Sequence, residues 1–286
     1  MLPFKIDLTD KTVVITGGGG VLCSEFAYSL AECGAKIALL DIKQENAQGV
    51  ADKIVASGGK AIAVQADVLS RESLEAARDI VADKFGICDI LINGAGGNSP
   101  KCTTTEEYLI AEDIDKDEPN NTTFFDILPE NLRFVFDINF TGAFLTTQVF
   151  TKDMALKSPG DFCVINISSM NAFTPLTKIP AYSAAKSAVS NFTQWLAVHF
   201  SKVGIRVNAI APGFFVSDQN RALLFNPDGT PTKRANKILA ATPMGRFGEP
   251  EELIGALLWL CSSAASGFVN GIVVPVDGGF SAYSGV

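Results

Sequence analysis

Short apolar runs rich in valine and isoleucine alternate along the chain with longer segments of helical periodicity. Within the runs, polar and apolar positions do not alternate, which is typical of strands that are covered on both faces, as in a parallel sheet. The pattern predicts seven strands, over Thr12–Thr16, Lys36–Leu40, Ala61–Gln65, Asp89–Asn93, Phe162–Ile167, Ile205–Ile210 and Ile272–Val276.

The segments between the first strands are predicted to be helices. In the first, Leu22, Phe26 and Leu30 share one face. Two more are predicted over Gln44–Ser57, which glycines follow, and over Ser70–Phe85, which opens on a plausible N-cap. The sequence contains no linker-like segment and no internal repeat. It therefore predicts an α/β fold in which residues 1–286 form a single domain, a Rossmann-type doubly wound parallel sheet of about seven strands with helices on both faces.

Two segments interrupt this alternation. Residues 98–131 are acidic and rich in turn-forming residues, and residues 217–245 contain the turn sequence Asn226-Pro227-Asp228-Gly229. Both follow the carboxyl ends of predicted strands, where open α/β sheets bind ligands. Because long loops in compact domains are usually functional, we predict an inserted loop at 98–131 and a substrate lid at 217–245.

Composition narrows the class of protein. A hydrophobic fraction of 47% and a charged fraction of 19% suit a well-buried globular chain. The net charge of −8 disfavours a nucleic-acid or anionic-membrane surface. The first residues are too polar for a signal peptide, and no apolar run is long enough for a membrane span, so we expect a cytoplasmic location without membrane contact. Six cysteines without CxxC spacing predict reduced, packed thiols and no metal site.

A glycine run lies between the first predicted strand and the first helix. Glycines at Gly17–Gly20 allow close backbone approach, and a helix N-terminus offers free N–H groups to a pyrophosphate. A plain tight turn is the alternative. Asp41, which ends the second strand, can accept hydrogen bonds from ribose hydroxyls but would repel a 2′-phosphate, so NAD(H) is preferred and NADP(H) is possible. Asp67 is either an adenine contact or the cap of a turn.

Tyr182 and Lys186 are four residues apart and share one face of a predicted helix. A phenol ordinarily has a pKa of ~10, too high for a base at neutral pH. A neighbouring ammonium and an oxidised nicotinamide would each lower this pKa. Ser169, after the fifth strand, could hold a substrate oxygen. Together these residues predict acid/base chemistry, although an ordinary amphipathic helix would explain the Tyr182–Lys186 pair alone.

In combination these motifs resemble the short-chain dehydrogenase/reductase family over essentially the whole chain. The matching residues are the Thr16–Gly20 loop, Asp67-Val68, Asn93-Gly94-Ala95-Gly96, Asn139, Ser168-Ser169, Tyr182-x-x-x-Lys186, Pro212-Gly213 and Val276-Asp277-Gly278-Gly279. Two departures stand out. Val21 and Cys23 occupy the last two glycine positions of the family's TGxxxGxG pattern, and Gly94 replaces the second asparagine of its Asn-Asn-Ala-Gly motif.

The resemblance implies a role for each matching residue. Tyr182 would transfer the hydroxyl proton, Ser169 would orient the substrate oxygen, Lys186 would bind the nicotinamide ribose and tune Tyr182, and Asn139 would hold a water of the proton relay. It also implies a homotetramer, with the Leu253–Leu260 helix and the last strand at one interface. The implied cofactor-binding residues are Gly17, Gly18, Gly19, Gly20, Val21, Leu22, Asp41, Asp67, Val68, Asn93, Gly94, Ala95, Gly96, Tyr182, Lys186, Pro212, Gly213 and Ser217.

A finer resemblance is to the D-mannonate oxidoreductase (fructuronate reductase) branch of this family. It rests on Ser168–Pro180, on Ala211–Phe215 with Gln219-Asn220-Arg221, and on Gly279–Val286. This branch implies NAD-linked interconversion of the sugar acids D-mannonate and D-fructuronate. Such a substrate needs polar contacts and a cation for its carboxylate. The predicted substrate-binding residues are Ser169, Asn171, Lys178 and Arg221, although the two cations could equally be solvated.

Other functions remain open on the sequence. Within the enzyme class, the alternatives are another polyol or sugar-acid dehydrogenase, such as a gluconate 5-dehydrogenase, and a 3-oxoacyl reductase. A dinucleotide-binding sensor without catalytic activity is the alternative from another class, but a pure binder does not need the Ser169, Tyr182 and Lys186 set. His199, the only histidine, is predicted to be structural or exposed.

Overall fold

Seven parallel strands form one sheet in the order β3-β2-β1-β4-β5-β6-β7. The structure is a computed structural model that describes residues 6–114, 121–216 and 221–285. The predicted α/β class, with a single doubly wound parallel sheet, is confirmed. The strands are β1 (Thr12–Thr16), β2 (Lys36–Asp41), β3 (Lys60–Gln65), β4 (Ile90–Asn93), β5 (Phe162–Ile167), β6 (Ile205–Pro212) and β7 (Val273–Val276).

The first three helices lie where the periodicity predicts them, and the bounds of the second and third agree with the prediction within one residue at each end. A helix that the periodicity does not predict precedes β5. It begins at Pro129, inside the predicted inserted loop, and its two α-helical parts are joined by a π-helical segment at Asp137–Thr141. The helices are α1 (Val21–Glu32), α2 (Gln44–Ala56), α3 (Arg71–Phe85), α4 (Pro129–Phe136), α5 (Gly142–Leu156), α6 (Pro180–His199), α7 (Arg221–Leu224), α8 (Lys233–Ala240), α9 (Ile254–Cys261) and α10 (Ser263–Ser266).

Helices cover both faces of the sheet, which explains why its strands are apolar throughout. Successive side chains of a strand point to opposite faces. Val13 and Ile15 pack toward α1, α2 and α9, whereas Val14 packs toward α3, α5 and α6. All three side chains are fully buried. Packing of this kind on both faces is the main source of the fold's stability.

Two strands extend further toward their carboxyl ends than predicted. β2 includes Asp41, which pairs with Gln65, and β6 continues to Pro212, which pairs with Val276. The strand order reverses between β1 and β4, so the carboxyl ends of these two strands border the crevice in which such sheets bind ligands. The predicted site residues follow strands at this edge.

The described parts of the predicted inserted loop contain short helical turns and attach to the body of the protein. Cys102 is fully buried against Val135 and Ala181. The Thr104 amide donates a hydrogen bond to the Lys178 carbonyl (2.9 Å). The 3₁₀ turns lie at Pro100–Cys102, Ala111–Asp113 and Phe124–Asp126. The described part of this segment is therefore ordered by packing against α4 and α6.

The predicted lid contains α7 and α8, which pack through a small apolar cluster of their own around Ile238 and Phe247. The turn sequence acts as predicted: Gly229 has a φ of +81°, and its amide donates to the Asn226 carbonyl (2.9 Å). Ser217 lies outside the described residues, as do Gln219 and Asn220.

Cysteine placement agrees with the prediction of packed thiols. All six cysteines are unpaired, and all except Cys33 are buried. Among the described residues, no helix is both long and apolar enough for a membrane span, and no cluster of side chains is suited to holding a metal ion.

A buried polar network joins the carboxyl ends of β4 and β5. The Asn93 amide nitrogen donates to the Asn166 side-chain oxygen (2.8 Å) and to the Thr147 hydroxyl (2.9 Å). Asn166 in turn donates to the Thr193 hydroxyl on α6 (2.9 Å). Both asparagines are buried. Because a buried polar group without a partner is costly, this network fixes α5 and α6 against the sheet.

We predict that Asn166→Ala lowers the free energy of unfolding by about 2–4 kcal/mol, because it leaves a cavity and removes a partner from both Asn93 and Thr193. Urea unfolding at one fixed protein concentration measures the difference. Thr193→Val, which keeps the shape and removes one hydroxyl, should cost less, about 1–2 kcal/mol. An Asn166→Ala protein as stable as the wild type would show that the network does not support the sheet.

Candidate active site

The glycine turn after β1 is confined between the sheet and α2. Gly17 has a φ of +65°, a conformation that favours glycine. A Cβ on Gly18 would lie 2.7 Å from Leu39, and one on Gly19 would collide with Asn46. Gly20 is the N-cap of α1, which has neither a side-chain cap nor an acidic residue in its first turn. This helix end, with Val21 and Leu22, suits an anionic group such as a pyrophosphate.

Cys23 and Gly94, two of the three residues that depart from the family pattern, lie against each other. The Cys23 thiol contacts the Thr16 carbonyl (3.7 Å), and a Cβ on Gly94 would collide with the Cys23 sulfur. Burial raises the pKa of Cys23 to about 12, so the thiol is neutral and acts as a packing group. The sulfur thus occupies space into which a side chain at position 94 would otherwise project.

Thr16 links β1 to the loop after β4, a role that the sequence did not reveal. Its buried hydroxyl accepts hydrogen bonds from the amides of Gly94 (3.1 Å) and Ala95 (3.2 Å). The side chain of Asn93 faces the interior network described above and points away from this loop's amides. The contribution of Asn93–Gly96 to a cofactor site would therefore come from Gly94 onward and from the backbone.

Asp41 lies beside the glycine turn, as predicted. Its carboxylate accepts hydrogen bonds from the amides of Gly19 (3.0 Å) and Lys43 (3.0 Å). Asp67 caps a turn, since its carboxylate accepts from the Leu69 amide (2.9 Å). The structure thus shows the cap, and the adenine contact of Asp67 stays a prediction. Val68, the next residue, is buried against Gly142, the first residue of α5.

Lys186 is buried at the end of β5. Its ammonium donates to the Ile167 carbonyl (2.8 Å) and lies 5.6 Å from the centre of the Tyr182 ring. Burial lowers the pKa of Lys186 to about 8. A buried amine with so low a pKa is typical of a functional site.

The side chains of Ser169 and Tyr182 are close enough for a hydrogen bond between them. Burial raises the pKa of Tyr182, and the interaction with Ser169 opposes the increase. In the chain without a cofactor, Lys186 therefore does not lower the pKa of Tyr182 as we expected. Ser168, the other serine of this motif, is buried. Its hydroxyl donates to the Lys186 carbonyl (3.2 Å) and shares a hydrogen bond with Ser190 (2.7 Å). Ser169 is thus the serine that faces the phenol.

Asn139 lies in the π-helical segment, a type of distortion that is frequent at functional sites. Its amide nitrogen donates to the carbonyls of Val135 (2.8 Å) and Gly97 (2.7 Å), and its oxygen accepts from the Gly97 amide (3.1 Å). A Cβ on Gly96 would lie 2.5 Å from the Asn139 oxygen and 3.3 Å from the Lys186 nitrogen. The glycine at 96 therefore lets both side chains approach this loop.

Pro212-Gly213, at the end of β6, lies close to the closing motif of the chain. The Gly213 amide donates to the Val276 carbonyl (2.9 Å), and a Cβ on Gly213 would lie 2.6 Å from the Asp277 Cα. The Asp277 carboxylate accepts from the amides of Gly279 (2.9 Å) and Ser281 (2.9 Å). The C-terminal turn is thereby held beside this edge of the sheet.

The predicted substrate residues have different surroundings. Asn171 is buried, and its side-chain oxygen has no hydrogen-bond partner among the described residues. Lys178 donates to the Thr105 carbonyl. The Arg221 guanidinium lies 5.6 Å from the centre of the Phe225 ring. His199 is exposed and stacks on Trp195 (4.5 Å), as expected of a side chain outside the site.

Lys178 also lines a cavity to which α8 contributes three further cations, Lys233, Arg234 and Lys237. Arg221 is not among the residues that line this cavity. Sequence reasoning missed the α8 cations. A signal for them exists in the spacing of Lys233 and Lys237, which places the two side chains on one face of a helix.

Together these groups suit proton transfer at a substrate oxygen. The Tyr182 phenol lies next to the Ser169 hydroxyl and near the buried Lys186 ammonium. They lie at the sheet edge where open α/β folds bind ligands. A positioned phenol can donate a proton to an oxygen or take one from a hydroxyl.

Comparisons with known proteins agree with this geometry. The short chain dehydrogenase family model matches residues 11–226. An uncharacterised oxidoreductase of Haemophilus influenzae is 60% identical over 98% of this chain and 96% of its own length. The uncharacterised oxidoreductase UxuB of Bacillus subtilis is 54% identical over the full length of both chains.

A solved structure gives the same picture. The crystal structure of a candidate D-mannonate oxidoreductase from Haemophilus influenza, with bound NAD, is 59% identical in sequence. It superimposes with a TM-score of 0.92 over 98% of each chain. The family match covers more than half of the chain, and the motifs that carry it lie at one edge of the sheet. This chain therefore belongs to the short-chain dehydrogenase/reductase family and is an oxidoreductase.

Proposed function

We propose that this oxidoreductase uses NAD(H) to interconvert D-mannonate and D-fructuronate. The observation that carries the proposal is the grouping of Ser169, Tyr182 and Lys186 at the carboxyl edge of the sheet, with the Lys186 ammonium next to the loop at Gly96. Two further points support it. The related crystal structure is that of a candidate D-mannonate oxidoreductase with NAD, and one stretch that resembles this branch, Ser168–Pro180, contains Ser169 and ends two residues before Tyr182.

The residues at the β1–α1 turn fit a dinucleotide. The turn has no room for side chains at Gly18 and Gly19, and the uncapped start of α1 offers N–H groups to the pyrophosphate. Asp41, at the end of β2, would accept hydrogen bonds from the adenosine ribose hydroxyls. The remaining residues proposed for this site include Pro212, Gly213 and Ser217, the last of which lies outside the described residues.

When bound, the nicotinamide exchanges a hydride with the substrate carbon. The chain itself handles the proton. For reduction, Tyr182 donates its phenolic proton to the carbonyl oxygen, which Ser169 holds by a hydrogen bond. For oxidation, the phenolate of Tyr182 removes the hydroxyl proton. The raised pKa of Tyr182 keeps its proton available for reduction at neutral pH.

Lys186 and Asn139 support this proton transfer. The Lys186 ammonium, held by Ile167, would stabilise the phenolate by its charge and contact the nicotinamide ribose. Asn139 is fixed by Val135 and Gly97, from where it would hold a water that returns protons to Tyr182. These roles follow the family resemblance, and the observed contacts are compatible with them.

We also propose a homotetramer, which the family resemblance implies. β7 is an edge strand of the sheet, and its apolar residues are only half buried in the single chain. Exposed edge strands are usually covered by another chain or element. This surface, with α9 beside it, is the proposed place of one subunit contact.

The substrate assignment predicts rapid NADH oxidation with D-fructuronate and slow turnover of 5-ketogluconate, neutral keto sugars and 3-oxoacyl thioesters. Nicotinamide absorbance follows every reaction in the same assay.

Tyr182→Phe should lower the turnover of D-fructuronate by about 10²–10⁴-fold, because it removes only the proton donor.

The matched control is Tyr28→Phe, a partly buried tyrosine of α1 that should leave turnover unchanged. NADH fluorescence should show that Tyr182→Phe still binds the cofactor. Turnover of the other substrates but not of D-fructuronate would reject the substrate assignment. Near-normal activity of Tyr182→Phe would reject the mechanism.

We predict that Asp41→Ala lowers the preference for NADH over NADPH by about 10-fold or more, because a carboxylate beside a 2′-phosphate is repulsive. The ratio of kcat/KM for the two cofactors measures this preference. Asp41→Asn, which keeps a hydrogen-bond acceptor for the turn, separates the loss of charge from distortion of the backbone. Asp52→Ala, an exposed carboxylate of α2, is the charge-matched control. An unchanged ratio in both Asp41 variants would remove this residue from cofactor selection.

A further inference from the structure

A cavity of about 410 Å³ lies between the inserted loop, the segment that leads into α6, and α8. This volume is in the range of small-molecule sites. Its position relates it to the proposed active site. Ile179, in its wall, directly precedes α6, which carries Tyr182, and Phe214, also in its wall, directly follows Pro212-Gly213.

Positive charge distinguishes this cavity, which we call the basic cavity. Lys178, Lys233, Arg234 and Lys237 line it, together with a single carboxylate, Glu107. The chain as a whole has a net charge of −8. Four cations around one cavity of an acidic protein form a local attraction for anions that the overall composition does not predict.

The four cations are not equally engaged within the protein. Lys237 forms an ion pair with Glu107 (2.6 Å), which lowers the pKa of that carboxyl. Lys178 donates one hydrogen bond to the Thr105 carbonyl, and an ammonium has three donors. Lys233 and Arg234 form no ion pair with the described residues. The cations available to an external anion are therefore Lys178, Lys233 and Arg234.

Helix stability does not explain where two of these cations lie. Lys233 and Arg234 occupy the first turn of α8, where the helix dipole disfavours positive charge. Thr232 already caps this helix by accepting from the Ala235 amide (3.2 Å). An anion in the basic cavity would relieve this unfavourable interaction.

We propose that Lys178, Lys233 and Arg234 bind the carboxylate of the substrate and thereby select sugar acids over neutral sugars. This inference rests on the proposed function. In D-fructuronate the carboxylate is at the far end of the carbon chain from the reacting ketone. Its recognition therefore requires a cationic site separate from Ser169 and Tyr182, on the same side of the sheet. The basic cavity meets that requirement, and the Lys237–Glu107 ion pair ties the inserted loop to it.

The test compares two substrates that differ only at this end. D-fructose carries a CH₂OH group where D-fructuronate carries the carboxylate, and its ketone is the same. In the double variant Lys233→Gln/Arg234→Gln, kcat/KM for D-fructuronate should fall by about 10- to 100-fold, mainly through KM, because charge-assisted hydrogen bonds are lost. The slow turnover of D-fructose should not change. Lys178→Gln should act in the same direction.

Lys53→Gln, which removes an exposed charge from α2, is the control and should change neither substrate's kinetics. Thermal melting establishes that the variants fold. The proposal is overturned if the double variant loses both substrates equally, or if it keeps the wild-type KM for D-fructuronate.

A separate measurement tests the anion site if the proposed function is wrong. If the wild type turns over neither substrate, the substrate assignment fails, and calorimetric titration with D-mannonate in the presence of NAD then tests the anion site alone. Binding that the double variant loses and that Lys53→Gln keeps would support the site. Equal binding by wild type and double variant, or no binding by either, would overturn it.

Discussion

The site depends on the burial of one charged group, the ammonium of Lys186, away from water. An isolated charge inside a protein costs several kcal/mol unless it is hydrogen-bonded, so Lys186 must be held closely. The Ile167 carbonyl supplies one hydrogen bond, and the glycine at Gly96 leaves room for the ammonium and for Asn139. The lowered pKa of Lys186 reflects this burial. The sheet edge is thus built around a charge that is available to a phenolate or a ribose.

Close packing around the glycine turn explains why the chain can depart from its family's motifs. Cys23 stands where the family has glycine, and Gly94 stands where it has asparagine. Because the Cys23 sulfur fills space beside position 94, the two departures compensate for each other. Thr16 then joins the strands by accepting from the Gly94 and Ala95 amides. Three residues of the usual signature, Val21, Cys23 and Gly94, have changed, and two of them lie against each other.

The sequence predicted those features that depend on local pattern. Continuous apolar runs indicated every strand, and a good N-cap at Ser70 with glycine after Phe85 bounded a helix correctly. The π segment around Asn139 was not predictable, because a π turn interrupts the helical periodicity. The role of Thr16 and the grouping of Lys178 with the α8 cations were also missed. Both depend on contacts between residues that are distant in the chain, which motif spacing does not report.

The ionisation of Lys186 is the most direct test of this view of the site. A ¹³C NMR titration of the side-chain carbons of labelled lysines, with Lys186→Met to assign the signal, measures it. The structure predicts a pKa of about 8 for Lys186, whose signal is absent from the variant. If Lys186 instead titrated at its ordinary value of 10.5, its ammonium would be hydrated. The charge at the centre of the proposed mechanism would then not be buried beside Tyr182.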